Sequence, residues 1–89
     1  MIVEMKHMFV VERTEWDEDL DGSHEYWEQR DICCVCTSIE DAKRYCEENA
    51  VIAYPMRWTG KMRYSGRSVV DGCTEEGLIY EIHEVKLFG

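Results

Sequence analysis

Apolar and polar positions along the chain alternate with period two in several stretches and recur at helical spacing in one. Met5 to Arg13 is apolar and β-branched at its centre, through Met8, Phe9, Val10 and Val11, and predicts a first strand. A second strand is expected from about Arg30 to Cys36. Ile32, Cys34 and Cys36 would share one face, and Cys33 and Val35 the other. With apolar residues on both faces, that strand reads as central in a sheet. Thr37-x-x-Glu40 then forms a capping box, with Ser38 as the alternative cap. Ile39, Ala42 and Cys46 follow at helical spacing with Tyr45 on the flank, and the helix is expected to end near Asn49 in a left-handed cap. After Pro55 the period returns to two. Met56, Trp58, Met62 and Tyr64 lie on one face, and Arg57, Thr59, Lys61, Arg63 and Ser65 on the other. This predicts a long third strand bulged at Gly60, a turn at Ser65-Gly66 and a short strand from Arg67 to Val70. Asp71-Gly72 and Gly77 bracket a loop, and Leu78 to Leu87 forms the last strand. Leu78, Tyr80 and Ile82 share a face there. Val85 and Leu87 fall out of phase, which calls for a bulge or an exposed second face.

The fold class these elements predict is α+β. A single antiparallel sheet of about four to five strands carries one helix on one face, in a ββαββ-like layout. At 89 residues the chain reads as one domain, 1–89. A hydrophobic fraction of 45% is enough for a thin core. The core is expected to include Phe9, Val11, Ile32, Cys34, Ile39, Ala42, Cys46, Trp58, Tyr80 and Ile82. One helix covers one face, so the other must be solvated or be a contact surface. A homodimer through that open face is one expectation; aromatics that merely fill a small core are the alternative.

Charge changes this picture more than composition does. The chain carries 19 acidic and 10 basic residues, a net charge of −9, which disfavours a general nucleic-acid binder. Between Glu12 and Glu28, eight acids face one base, Arg13, for a local charge of −7. That stretch is expected to be a long exposed loop. Residues 51–70 hold Arg57, Lys61, Arg63 and Arg67 and no acid, for +4. No apolar run approaches a membrane span, and no leader pattern opens the chain, so a cytoplasmic location is expected. The cysteines Cys33, Cys34, Cys36, Cys46 and Cys73 are odd in number and clustered. They read as reduced thiols acting as small apolar residues.

The stretch Val35-Cys36-Thr37-Ser38-Ile39-Glu40-Asp41-Ala42-Lys43-Arg44-Tyr45 closes a strand with a short polar cap and opens a helix with acids, an Ala and an aromatic. Taken with an acidic segment before it and strands after it, this layout resembles small phage-encoded accessory proteins. The likeness spans Phe9 to Cys46 and the last strand; the cysteine cluster is not part of it. It implies a non-enzymatic protein of host-takeover or anti-defence type, and it carries over no catalytic residue.

Three constellations could carry chemistry. Asp17-x-Asp19-x-Asp21-Gly22-x5-Glu28 has the spacing of a calcium loop, with hard oxygens at positions 1, 3, 5 and 12 and a glycine at the sharp turn. Against calcium, position 8 is His24 and the residues before Asp17 are not those of an apolar entering helix. Cys33-x-x-Cys36 has a two-thiolate spacing, and zinc would need Cys46, Cys73, His24 or His83 to complete it. The basic strand Arg57, Lys61, Arg63 and Arg67, with Trp58 and Tyr64 nearby, resembles a nucleic-acid stacking surface. Those two aromatics, however, point away from the bases. No nucleophile–base order and no phosphate loop is present, so the reading is non-enzyme.

The leading expectation is an acidic interaction protein that inhibits or modulates a partner. Its contact residues would be Glu15, Trp16, Asp17, Glu18, Asp19, Asp21, Tyr26, Trp27 and Glu28, seated in a basic groove of another protein where nucleic acid would otherwise bind. The alternatives are a small metal-binding domain, with calcium or zinc and no other cofactor, and a nucleic-acid binder using residues 57–67.

Overall fold

The computed structural model describes residues 5–21, 25–50, 54–70 and 72–88. Its elements are β1 (Met5–Asp19), β2 (Tyr26–Cys36), α1 (Ile39–Asn49), β3 (Arg57–Gly60), β4 (Arg63–Val70) and β5 (Thr74–Phe88). The strands form one antiparallel sheet in the order β2-β1-β5-β4-β3. The class is α+β with five strands in the order ββαβββ, rather than ββαββ. The helix leaves one edge strand, β2, and the chain re-enters at the other edge, β3. α1 therefore crosses one face of the sheet and packs on β1, β2 and β5.

Strand length sets the shape. β1 and β5 each have 15 residues, about 50 Å at ~3.3 Å per residue. α1 has 11 residues, about 16 Å at 1.5 Å per residue. The helix thus shelters about a third of one face. The molecule measures 62 × 23 × 18 Å with a radius of gyration of 16.2 Å, against about 12 Å for a compact chain of this length.

The core sits under the helix. Val11, Leu78, Tyr80 and Ile82 from the sheet meet Ala42 and Cys46 from α1, and all six are buried. Phe9, Cys34, Trp58, Tyr45 and Tyr64 pack around them, partly buried. Tyr80 stands edge-on to Tyr45, with centroids 6.5 Å apart, and its hydroxyl donates to the Asn49 carbonyl at 3.1 Å. Trp58 stacks obliquely on Tyr64 and donates from Nε1 to Glu47 at 3.1 Å, while the Lys43 ammonium lies over its ring. These contacts hold α1 to both the central strands and β3. Ser38 caps the helix, its hydroxyl accepting from the Asp41 amide at 3.1 Å, so the alternative cap is used rather than Thr37. Asn49 stays inside the helix with its amide on the Tyr45 carbonyl, and Ala50 ends it in an extended rather than left-handed conformation.

Five expectations are corrected. β2 is an edge strand, not a central one, because β1 and β5 supply the long paired centre. Ile32 is 61% exposed instead of buried. The register passes from Val11↔Cys34 to Glu12↔Ile32, so a bulge at Cys33 shifts the phase and turns Ile32 to the open face. The long third strand is two strands, because the chain reverses at Lys61-Met62, and Ser65-Gly66 lies inside β4. Gly77 belongs to β5 rather than to a loop, and Leu78 joins the core. The segment Glu12–Glu28 is mostly strand. β1 runs on to Asp19 and β2 begins at Tyr26, paired from Glu18↔Tyr26 downward. Its composition concealed this, because strand pairing on both sides of β1 outweighs the poor strand propensity of Asp and Glu. Val85 and Leu87 do take an exposed second face, at 43% and 54% exposure.

The bulge separates two substitutions of similar chemistry. Leu78→Ala is expected to cost about 2–5 kcal/mol in urea unfolding. Ile32→Ala is expected to stay within about 0.5–1 kcal/mol. Equal losses would contradict the register.

Candidate functional site

Cross-strand partners share a face, so the register sorts every side chain of the sheet. On the helix side, Asp19 lies beside Thr74, Asp17 beside Trp27 and Glu76, and Glu15 beside Gln29 and Leu78. On the open side, Glu18 lies beside Tyr26 and Glu75, and Trp16 beside Glu28 and Gly77. The nine residues expected to form one acidic–aromatic loop are therefore divided. Glu15, Asp17, Asp19 and Trp27 face one way, and Trp16, Glu18, Tyr26 and Glu28 the other. Asp21 sits at the turn, where its amide reaches Asp19 Oδ1 at 3.4 Å. The Leu20 amide donates to the Cys73 carbonyl, so this hairpin and the β4–β5 hairpin end together.

Beyond the end of α1, the helix side holds a cavity of about 220 Å³. Glu15, Asp17, Glu76, Trp27 and Tyr54 line it, with Leu78 below. Arg13 is paired with Glu15. Tyr54 is half-buried, and burial together with the carboxylates of Glu76, Glu15 and Asp17 pushes its hydroxyl pKa up. The cavity thus combines three carboxylates and the Arg13 guanidinium with the rings of Trp16, Trp27 and Tyr54. Trp27, 47% exposed, gives it an apolar border. Tyr54 and Glu76 lie far from the acidic segment in sequence, and nothing in the local pattern tied them to it.

The open side carries a groove of about 540 Å³. Its wall is Trp16, its floor Ile79 and Ser65, and its far bank Arg57, Arg63 and Arg67. Gly77 makes this arrangement. A Cβ there would sit 2.5 Å from the Trp16 ring, so only a glycine lets the indole lie across β5 toward β4. Tyr26 stacks on the outer side of Trp16, with centroids 6.4 Å apart and planes 23° from parallel. Its hydroxyl donates to Glu28 at 2.9 Å, and that bond raises its pKa. Arg67 pairs with Glu75 at 3.3 Å. Among the described residues, Arg57 and Arg63 form no ion pair. Lys61 is exposed in the β3–β4 turn. Trp58 and Tyr64 lie on the helix side, away from the arginines, as their spacing indicates. Sequence reasoning missed that Trp16 joins the arginine face, because that meeting depends on β1 pairing with β5.

The calcium spacing is not assembled into a site. Asp17 faces the helix side, Glu28 the open side, and both lie in paired strands. Gly22 and His24 lie outside the described residues. Cys34 and Cys36 share the helix side with Sγ atoms 3.7 Å apart, Cys33 occupies the bulge, and Cys46 reaches down from α1. Among the described residues, no group of three or more His, Cys, Asp or Glu side chains is placed to hold a metal ion. All five cysteines are free thiols. Burial, then the hydrogen bond with Cys36, pushes Cys34 up to about 11, and burial pushes Cys46 up to about 12. Such thiols are poor nucleophiles at neutral pH. Among the described residues, no helix is long and apolar enough to cross a membrane.

No family model, curated protein or solved structure matches the chain. The reading of its surfaces therefore rests on their own geometry.

The thiols give a direct check. Cys73 is exposed and should react first with a thiol reagent at mildly alkaline pH, while Cys46 should react only on unfolding. The folded pKa of Cys46 lies above its ordinary 9.0, so the unfolded state loses the proton first. Stability is therefore complete below pH 9 and falls as pH rises toward about 12. Cys46→Ala should flatten that alkaline decline in a melting series. An unchanged decline would contradict the assignment.

Proposed function

We propose that the protein is a non-catalytic interaction protein whose helix-side hairpin surface receives a basic side chain of a partner protein. The observation that carries this reading is the cavity that Asp17, Glu76, Trp27 and Tyr54 line together, where the lining cation, Arg13, is already paired with Glu15. A lysine or arginine has an apolar stem and a cationic head. The aromatic walls suit the stem, and the carboxylates suit the head. Exposed Trp27 adds the rigid aromatic area on which interface hot spots are built. The surrounding acids speed encounter with a basic groove. In the setting that the phage-type resemblance implies, the partner is a host or defence protein that handles nucleic acid, and the acidic hairpin occupies its groove. A second copy of the chain would use another region. Ile32, Val35, Val85 and Leu87 are exposed at the end of the open face away from the hairpin turns.

The test is fluorescence anisotropy of a labelled arginine-rich peptide. Saturable binding is expected, weakening by about tenfold or more from low to physiological salt as the charges are screened. Asp17→Asn with Glu76→Gln should weaken it by about tenfold or more at unchanged circular dichroism. Binding that is indifferent to the double substitution would overturn the proposal.

A further inference from the structure

We propose that the groove on the open face binds single-stranded nucleic acid, with a base stacked on Trp16 and successive phosphates on Arg67, Arg57 and Arg63. This inference is separable from the helix-side reading through its arginines, which lie on the open side only; Trp16 borders both the groove and the helix-side cavity.

The arrangement of the cations selects the ligand. Arg63 and Arg67 are four residues apart on β4, about 13 Å along the strand at ~3.3 Å per residue. Arg57 stands on β3 opposite Ser65, between them. The three arginines thus occupy a shallow arc along β4 and β3, and all three line the groove. That spacing suits an extended phosphodiester better than one small anion. Guanidinium forks pair with phosphate oxygens in bidentate fashion.

The wall selects it further. Trp16 rests on the bare backbone of Gly77, so the ring is held from below and laid across the sheet. Tyr26 prolongs the aromatic surface. Aromatic platforms of this kind stack bases of any identity. A polyglutamate could use the arginines but offers no aromatic ring to the indole. The groove volume, about 540 Å³, lies within the ~300–1,000 Å³ usual for ligand sites.

The net charge of −9 does not decide against this. Charges beyond ~8 Å are largely screened at physiological ionic strength, so the local arginines govern. Of those, Arg57 and Arg63 form no ion pair within 4 Å among the described residues, though Glu81 stands opposite Arg63. Arg67 is 75% exposed, so its pairing with Glu75 is readily exchanged. The acids Glu12 and Glu81 share a row with Arg63, and Glu18 and Glu75 lie beyond Trp16. They bound the site to a short footprint and a weak affinity.

The experiment is anisotropy of a short labelled deoxythymidine oligomer and its uridine counterpart, with a polyglutamate peptide as competitor. Saturable binding is expected, with a log–log salt slope of about −2 for three phosphate contacts on a single strand. Arg57→Gln with Arg63→Gln, both exposed, should weaken binding by about tenfold or more and reduce the slope toward about −1. Trp16→Phe should weaken it by about fivefold or more. The proposal is overturned if neither oligomer binds saturably or if the arginine substitutions leave the affinity unchanged. It is equally overturned if polyglutamate displaces the oligomer at equal charge concentration, which would assign the groove to an acidic protein.

Discussion

The structure depends on a mismatch of lengths. Two central strands of 15 residues are paired along their whole extent, and one helix of 11 residues covers them. The hydrophobic contacts that stabilise the fold are gathered where α1 lies, around Val11, Leu78, Tyr80 and Ile82. Beyond the helix, with Tyr54, Pro55 and Met56 from the segment after α1 against it, the sheet is held by backbone ladders and cross-strand pairs. Such pairs contribute about 0.2–1 kcal/mol each. The hairpin end can therefore carry charge and aromatic surface that a buried sheet would not tolerate, and it is where both candidate surfaces lie.

The alternation of a strand does the rest. Side chains along β1 point in turn to opposite faces, so a segment that reads as one acidic block is divided into two sets. The helix-side set gains Glu76 from β5 and Tyr54 from the segment after α1, and becomes an acidic cavity. The open-side set places Trp16 over Gly77, where it meets three arginines from β3 and β4. The helix side thus gathers carboxylates into a cavity, while the open side sets three arginines beside Trp16 within a border of glutamates. Two irregularities keep this sorting in place: the bulge at Cys33, which sets the phase of β2, and the missing side chain at Gly77.

Local signals were legible. The Ser38 cap, the Ala42 and Cys46 stripe, the Tyr80 and Ile82 face and the arginine face of residues 57–67 all depend on near neighbours in the chain, and the sequence shows them. What was not legible depends on distant pairing. Nothing near Ile32 announces that Cys33 is bulged, and strand order cannot be read from a run of cysteines. Asp and Glu at five positions between Glu12 and Asp19 argue for a loop by propensity. Pairing with β2 on one side and β5 on the other makes that segment a strand. The calcium spacing presumes a loop that can wrap an ion, whereas in the paired strands Asp17 and Asp19 share the helix side and Glu28 faces the open side. The groove was half visible: its arginines by spacing, its tryptophan only through the β1–β5 register.

The most direct test of this account is a nuclear Overhauser spectrum of the folded protein in the region of Trp16. An extended ladder predicts cross-strand contacts for Trp16 with Glu28 and with Gly77, and upfield-shifted α-protons on Gly77 beneath the indole. Random-coil shifts for Gly77, with no contacts between Trp16 and either partner, would mean that the acidic segment is a loop. The two-faced sheet described here would then be wrong.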